Sequence, residues 1–415
     1  MAFQNPKGTR DYYPEDKAVW NWMAGSFRRT AVSFGFQEVE SPAFENLSVL
    51  CEKEGEEIKR QIFTLEKRED ESFGLRFDLT VPFTRMFVQK QRELPKPVKW
   101  FGISRMWRYE QPQKGRLREF YQFSCELFGS PTPEADAQII RMAIEMMEAV
   151  GLSSKDIAVR VNNRILLQGI LEGLGIKKIE ETIIIIDKKS KIGDTAFEEE
   201  LNKLKLTKGQ VSSLQCMLAA TDLSRLNGLS KEAQLGKEQL QAVLDLLGDK
   251  KEYIQIDLTT ARGLAYYTGM VFEIFDRSGK YRALCGGGRY NNMIKQFGGE
   301  DCPATGFAMG FATMELLLDE KMKLPSTVDG VDYYIELISQ APAVKKAAQQ
   351  LATKLRSQGS SVDTDVMGRS LGKQMEYANK IKAKNVIVIG ENEVKAKKAR
   401  VKEMLTGNEE EIKLV

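Results

Sequence analysis

The 415-residue chain contains no histidine. That absence excludes Ser-His-Asp and Cys-His triads. It also excludes histidine-containing zinc sites, haem-histidine ligation and zincin motifs. No side chain has an unperturbed pKa near neutrality, so acid–base work there would need shifted carboxylates, lysine or cysteine. Phosphoryl or nucleotidyl transfer, run by cations and positioning, suits such a chain best. Cysteine is scarce as well. Cys51, Cys125, Cys216, Cys285 and Cys302 are scattered and form no CxxC pair. They read as reduced thiols, neither a disulfide frame nor a metal site. Long apolar runs are missing. The longest, around Thr182–Ile186, is far too short to span a bilayer, and the first residues, MAFQNPKGTRDYYPED, hold no apolar signal core. The expectation is a soluble, cytoplasmic protein with no membrane partner.

What is present is ordinary in bulk: 42% hydrophobic, 29% charged, net charge +3. The length suits two to three domains. The charge is uneven, however. Residues 331–415 hold 15 Lys+Arg against 11 Asp+Glu, whereas residues 1–330 hold 46 against 47. The excess gathers at Lys380, Lys382, Lys384 and Lys395–Lys402. Such a patch suits either a polyanion partner or a solvated surface.

Trp20, Met23 and Phe27 at helical spacing predict a helix over Pro14–Phe34 with these residues in the core. Strand-like runs follow at Phe36–Val39, Phe73–Phe77, Val98–Ile103 and Glu119–Leu127, punctuated by glycine and proline. They predict a mainly antiparallel sheet with flanking helices. Gln138–Val150 is amphipathic, and residues of about 165–250 read as an inserted helical subdomain. Strands resume at Tyr253–Asp257, Met270–Phe275 and Tyr281–Leu284, and Ala304–Leu318 reads as a strand running into a helix. Thr327–Gly330 is a plausible linker. Beyond it the pattern alternates: strand 332–338, helix 341–357, strand 361–366, helix 370–381, strand 385–389. That alternation predicts a small α/β domain with parallel pairing.

Chemistry concentrates in three segments. Arg105–Gly129 reads as strand, charged loop, strand, with Arg105, Arg108, Lys114, Arg116 and Arg118 close together. Strand alternation sends Gln122 to one face and Phe123 to the other, and Glu126 shares the face of Gln122. Arginines beside an aromatic and two polar acceptors suit a nucleotide phosphate and a polar small ligand; a solvated hairpin is the plainer alternative. The second segment is ARGLAYYTG, Ala261–Gly269. The third is CGGGRYNN, Cys285–Asn292, whose glycines permit close backbone approach or a flexible loop tip.

Together these segments resemble the histidyl-tRNA synthetases, a family of class II aminoacyl-tRNA synthetases, in order along nearly the whole chain. GTRDYYPED (Gly8–Asp16) resembles the family's opening. GFQEVESPAFE, with Pro42, is similar to the dimer-forming motif 1. LRFDLTVPFTR (Leu75–Arg85) is similar to the segment for the substrate amino group. Arg105–Gly129 resembles motif 2, ARGLAYYTG the histidine-specific peptide, and Ala304–Leu318 motif 3.

The resemblance implies an α+β catalytic domain over residues 1–326, with an antiparallel class II sheet and a helical insertion. It implies a C-terminal α/β anticodon-binding domain over residues 331–415. It implies activation of L-histidine with ATP and Mg²⁺, transfer to tRNA(His), and a homodimer formed around Pro42. No protein metal ligands are implied. Carried over residue by residue, Arg108 and Arg262 become the catalytic cations on the α-phosphate and carboxylate. Arg108, Glu110, Arg116, Phe120 and Arg262 become the ATP site, with Glu110 at the adenine side, Arg116 at the outer phosphates and Phe120 stacked on the base. Asp78 and Thr80 become the α-ammonium site, with Gln122 at the same polar end, and Leu79 between them is counted with the histidine-binding residues. Glu126 and Tyr266 bracket the imidazole, and Tyr267 and a Gly286–Gly288 turn line the pocket. A carboxylate and a hydroxyl suit neutral imidazole, which has one donor and one acceptor nitrogen.

Three positions depart from the family pattern. Thr313 stands where motif 3 usually has an arginine for the γ-phosphate. Ala265 replaces an acidic residue, and Asn291 replaces an aspartate after GGRY. Many relatives also extend beyond Glu411–Val415 with a final helix. The alternative function is the synthetase-like regulatory subunit of ATP phosphoribosyltransferase, a paralogue without the anticodon-binding domain.

Overall fold

In the computed structural model, the residues described are 3–52, 59–67, 71–262, 266–325 and 330–414, without the side chains of 190 and 191. Ala265, Gly263 and Leu264 of the histidine-specific peptide, and most of the linker expected at Thr327–Gly330, lie outside them. Two compact units divide the chain, Met1–Pro325 and Ser326–Val415.

The first unit is built on strands β1 (Gln37–Glu38), β2 (Phe44–Asn46), β3 (Phe73–Leu75), β4 (Val98–Trp107), β5 (Glu119–Phe128), β6 (Ile157–Asn163), β7 (Ile254–Ile256), β8 (Met270–Asp276), β9 (Cys285–Arg289) and β10 (Ala304–Gly310). Eight of them form one sheet in the order β1-β4-β5-β10-β9-β8-β6-β7, and β2 pairs with β3 apart from it. The six inner strands are antiparallel; the edge strands β1 and β7 run parallel to their neighbours. The expected antiparallel sheet is therefore present.

One face of this sheet is closed by helices. The helix Pro14–Ser33 buries Met23 and Phe27, and the helix Pro133–Ala149 buries Ile139, Ile140, Ile144 and Met147. Both have proline in the first turn, where a missing N–H costs nothing. The helical insertion comprises Arg164–Gly173, Ile179–Lys203, Lys208–Leu218 and Lys231–Leu246. The first and last cross almost backbone to backbone. A Cβ on Gly236 would stand 2.2 Å from the Leu166 nitrogen, and one on Gly169 would stand 2.4 Å from the Ala233 nitrogen.

The glycine run corrects the sequence reading. The strand is Cys285–Arg289, not Tyr281–Leu284, and Gly286–Gly288 form no turn. A glycine run offers no apolar alternation, so it reads as a loop. Here it lies between β8 and β10, where neighbours leave no room for side chains. A Cβ on Gly287 would stand 2.2 Å from the carbonyl oxygen of Gly306.

The second unit has the strands β11 (Tyr333–Leu337), β12 (Val362–Thr364), β13 (Asn385–Ile389), β14 (Lys398–Glu403) and β15 (Glu409–Lys413), ordered β12-β11-β13-β14-β15. The first three are parallel, as alternation with helices predicts. The last two add an antiparallel hairpin. Part of the basic run is thereby neutralised across the ladder: Lys398 pairs with Glu411 at 2.6 Å and Arg400 with Glu409 at 3.4 Å. Gln374 is fully buried and clamps β11 to the helix Leu371–Lys380. Its amide donates to the carbonyl oxygen of Leu337 at 3.0 Å and accepts from the Leu337 N–H at 2.9 Å.

Candidate active site

Sheet register assembles the site on the face opposite the large helices. Partners across neighbouring strands share a face. Ser124, Ala308, Gly286 and Glu273 lie in one such row, with Glu126, Gly306 and Gly288 in the next and Gln122 opposite Gly310 beyond. The centre of the floor is thus paved with small residues. Larger functional side chains stand around it. Phe123, on the opposite face, is buried in the main core, as strand alternation predicts.

Above this floor lies a cavity of about 240 Å³, lined by Arg108, Glu110, Arg116, Phe120, Gln122, Arg262, Glu273, Arg282 and Thr313 among others. Its charged lining is four arginines against two glutamates. Arg108 ends the β4 side of the hairpin. Its Nε donates to the carbonyl oxygen of Phe77 at 3.0 Å, and its guanidinium sits 5.3 Å from the Phe120 ring. Arg262 arrives from a distant segment with φ +53°, a left-handed conformation that costs a non-glycine residue energy. Its Nη1 donates to Glu273 at 2.7 Å, while its buried Nε has no hydrogen-bond partner among the described residues. Gly286 makes the space: a Cβ there would stand 2.0 Å from Nη1.

Glu110 and Arg116, expected at the adenine and the outer phosphates, are joined to one another by an ion pair. Thr313 turns its hydroxyl to the carbonyl oxygen of Gly115 at 3.3 Å and ties the hairpin loop to the helix Phe311–Glu320.

The residues expected around histidine form a buried cluster beside Gln122. Glu126 is 1% exposed. Its Oε1 accepts from Thr80 at 2.7 Å, and its Oε2 accepts from the Tyr290 hydroxyl. Burial pushes its carboxyl up to about 8, against the pull of those two donors. Burial also pushes Asp78 up to about 6, against the charge of Arg108 and the N–H groups of Val81 and Thr80. Gln122 donates to Ser124 at 2.8 Å. The Tyr266 ring lies 4.6 Å from Tyr267 and 5.8 Å from Tyr290, and Arg262 lies 5.6 Å from the Tyr267 ring. Thr80, expected at the α-ammonium end, is bonded to Glu126, expected at the imidazole. Leu79 is fully buried and packs in the cluster of Phe83, Phe87 and Trp100.

Sequence reasoning missed Glu273 and Tyr290 as members of the site. A signal existed for Glu273: it is a carboxylate inside the apolar strand MVFEIFD, which demands a partner.

An antiparallel sheet that carries its functional side chains on one broad face differs from the parallel nucleotide-binding folds, whose ligands sit at strand ends. The fold and its arginine-lined hairpin are those of a class II aminoacyl-tRNA synthetase. The finer family follows from known proteins. The profile of the histidyl-tRNA synthetases matches residues 8–314, and that of an anticodon binding domain matches residues 333–415. The histidine–tRNA ligase of Haloarcula marismortui is 38% identical over 99% of this chain and 96% of its own. The crystal structure of histidyl-tRNA synthetase from Nostoc sp. PCC 7120 superposes with a TM-score of 0.84 at 27% identity, covering 100% of this chain and 97% of that one. A Bacillus halodurans protein described as an ATP phosphoribosyltransferase regulatory subunit/histidyl-tRNA synthetase shares the fold, at 23% identity and a TM-score of 0.78 over 94% of this chain and 99% of its own. The chain belongs to the histidyl-tRNA synthetase family, ATP-dependent ligases that join histidine to tRNA.

Proposed function

We propose that the cavity is the seat of histidine activation, with ATP over the small-residue floor and histidine in the cluster around Glu126. The observation that carries this reading is the entry of Arg108 and Arg262 into one cavity from two separate segments. In-line attack of the histidine carboxylate on the α-phosphate needs no protein proton transfer. It needs fixed cations where charge develops on the phosphorus oxygens. Arg108 and Arg262 supply them. Phe120 stacks on adenine with Glu110 beside it, and Arg116 swings from Glu110 to the outer phosphates. Asp78 and Gln122 hold the polar end of histidine. Glu126, Thr80, Tyr266 and Tyr267 enclose its ring, and selectivity arises because a wrong side chain leaves these buried groups unpaired.

ATP enters as its magnesium complex. The described residues contain no group of three metal-ligating side chains, and both cavity glutamates already face arginines. The lining therefore suits an ion carried chiefly by the phosphates and water. In the second step the terminal ribose hydroxyl of tRNA(His) takes the histidyl group, while residues 331–415 engage the anticodon. The edge strand β1 and the exposed Pro42–Phe44 segment form a homodimer contact. No helix among the described residues is long and apolar enough to cross a membrane, and the part in translation proposed here implies a cytoplasmic place of work.

ATP–pyrophosphate exchange with each of the twenty amino acids tests the reading. Exchange with histidine alone is expected. Histidine binding without exchange would instead fit the regulatory relative.

A further inference from the structure

Thr313, where the resemblance to motif 3 implies an arginine for the γ-phosphate, has its hydroxyl committed to the Gly115 carbonyl. Arg116 is held by Glu110. A third cation enters the same cavity. The N–H of Gly310 donates to the carbonyl oxygen of Leu284 at 3.2 Å, which joins the β8–β9 hairpin to the start of the motif 3 helix. Arg282, two residues before Leu284, and Thr313, three after Gly310, both line the cavity as a result. Arg282 is exposed at its rim. Among the described residues Glu273 is the carboxylate that bears on its charge, and Glu273 already accepts from Arg262 at 2.7 Å. Burial depresses the Arg282 pKa more than Glu273 restores it. A dianionic or trianionic ligand in this cavity would relieve that imbalance.

We propose that Arg282 grips the outer phosphates of ATP beside Arg116, supplying from the neighbouring hairpin a cation that Thr313 does not provide. This rests on the reading of the cavity as the ATP site. The grip of Arg282 acts on the β- and γ-phosphates and on the departing pyrophosphate. It does not act on the adenosine or the α-phosphate. Arg282→Ala should leave the fold intact because the side chain is exposed.

Calorimetric titration with AMP and with an ATP analogue carrying a methylene bridge between the α- and β-phosphates separates the phosphate subsites. In Arg282→Ala the analogue should bind at least ten-fold more weakly, with AMP and histidine affinities unchanged. Adding Thr313→Arg to that variant should restore analogue binding and exchange. Equal losses for AMP and analogue, or no loss for either, would overturn the proposal. Absence of histidine-dependent exchange in the unaltered protein would sink the underlying site reading instead.

Discussion

Gly286 and Arg262 occupy mutually exclusive space: a Cβ on the glycine would stand 2.0 Å from Nη1 and 2.7 Å from Cζ of the arginine. The obstructed atoms are the far end of a flexible side chain. Gly286→Ala should therefore fold with little change in melting temperature, yet push the guanidinium off Glu273. Histidine-dependent pyrophosphate exchange should fall about 100-fold or more, the usual cost of losing one preorganised charge-stabilising group. Gly287→Ala is the contrasting case. Its Cβ would meet the Gly306 carbonyl oxygen at 2.2 Å and the Phe307 backbone, which cannot step aside, so soluble yield and melting temperature should collapse. If both variants behave alike, the space around Arg262 is not what selects glycine at position 286.

Arg262 is held by Glu273 at 2.7 Å in a left-handed backbone conformation. Arg262→Ala should abolish exchange while calorimetric histidine binding survives. Glu273→Gln keeps the shape but weakens the tether. It should lower kcat about 10-fold with a smaller change in the KM for histidine, since a looser cation harms the transition state more than the bound substrate. An Arg262→Ala enzyme that still exchanges would remove the catalytic assignment.

The buried Glu126 carboxyl, raised to about 8, carries a pH signature. A raised folded-state value means that its contribution to stability is fully present below the ordinary carboxylate range. That contribution is lost as pH rises through about 8. Glu126→Gln cannot ionise. Unfolding of the ligand-free proteins in urea at pH 5.5 and pH 9 should show the variant gaining on the parent by at least about 1 kcal/mol at the higher pH. Histidine binding should weaken by roughly 1–3 kcal/mol, because the imidazole loses an ionisable partner. A pH-independent stability difference would mean that the carboxyl is ionised throughout.

How much of this was legible beforehand depended on pattern. The helix over Pro14–Ser33 and the strand Asn385–Ile389 advertise themselves by periodic apolar residues, and the sequence reading placed both within a residue. Hairpin β14–β15 went unseen because its ladder is held by alternating charges such as Lys398 and Glu411, which read as a solvated basic run. Strand β9 went unseen because glycines carry no pattern. In the site, the shared face of Gln122 and Glu126 followed from alternation. The Thr80–Glu126 bond did not, since 46 residues separate the pair and only tertiary packing joins them.

The arginine of the GGGRY segment invites a catalytic assignment, but the structure commits it elsewhere. Arg289 Nε donates to Asp136 at 2.8 Å, with both side chains under one-tenth exposed. Its remaining nitrogens donate to the carbonyl oxygens of Ser130 at 2.8 Å and Thr132 at 3.1 Å. These bonds fasten β9 to the start of the helix Pro133–Ala149. Removing one partner of such a pair strands a buried charge, so Arg289→Met should destabilise the protein by about 3–5 kcal/mol. Replacing both, with Arg289→Met and Asp136→Leu, should recover part of that loss. Full recovery is not expected, because the two carbonyls still lack their donors. Exchange activity per folded molecule should stay within a few-fold of the parent in the double variant. A double variant as unstable as the single one, or a folded one without exchange, would show that Arg289 does more than hold the sheet to its helix.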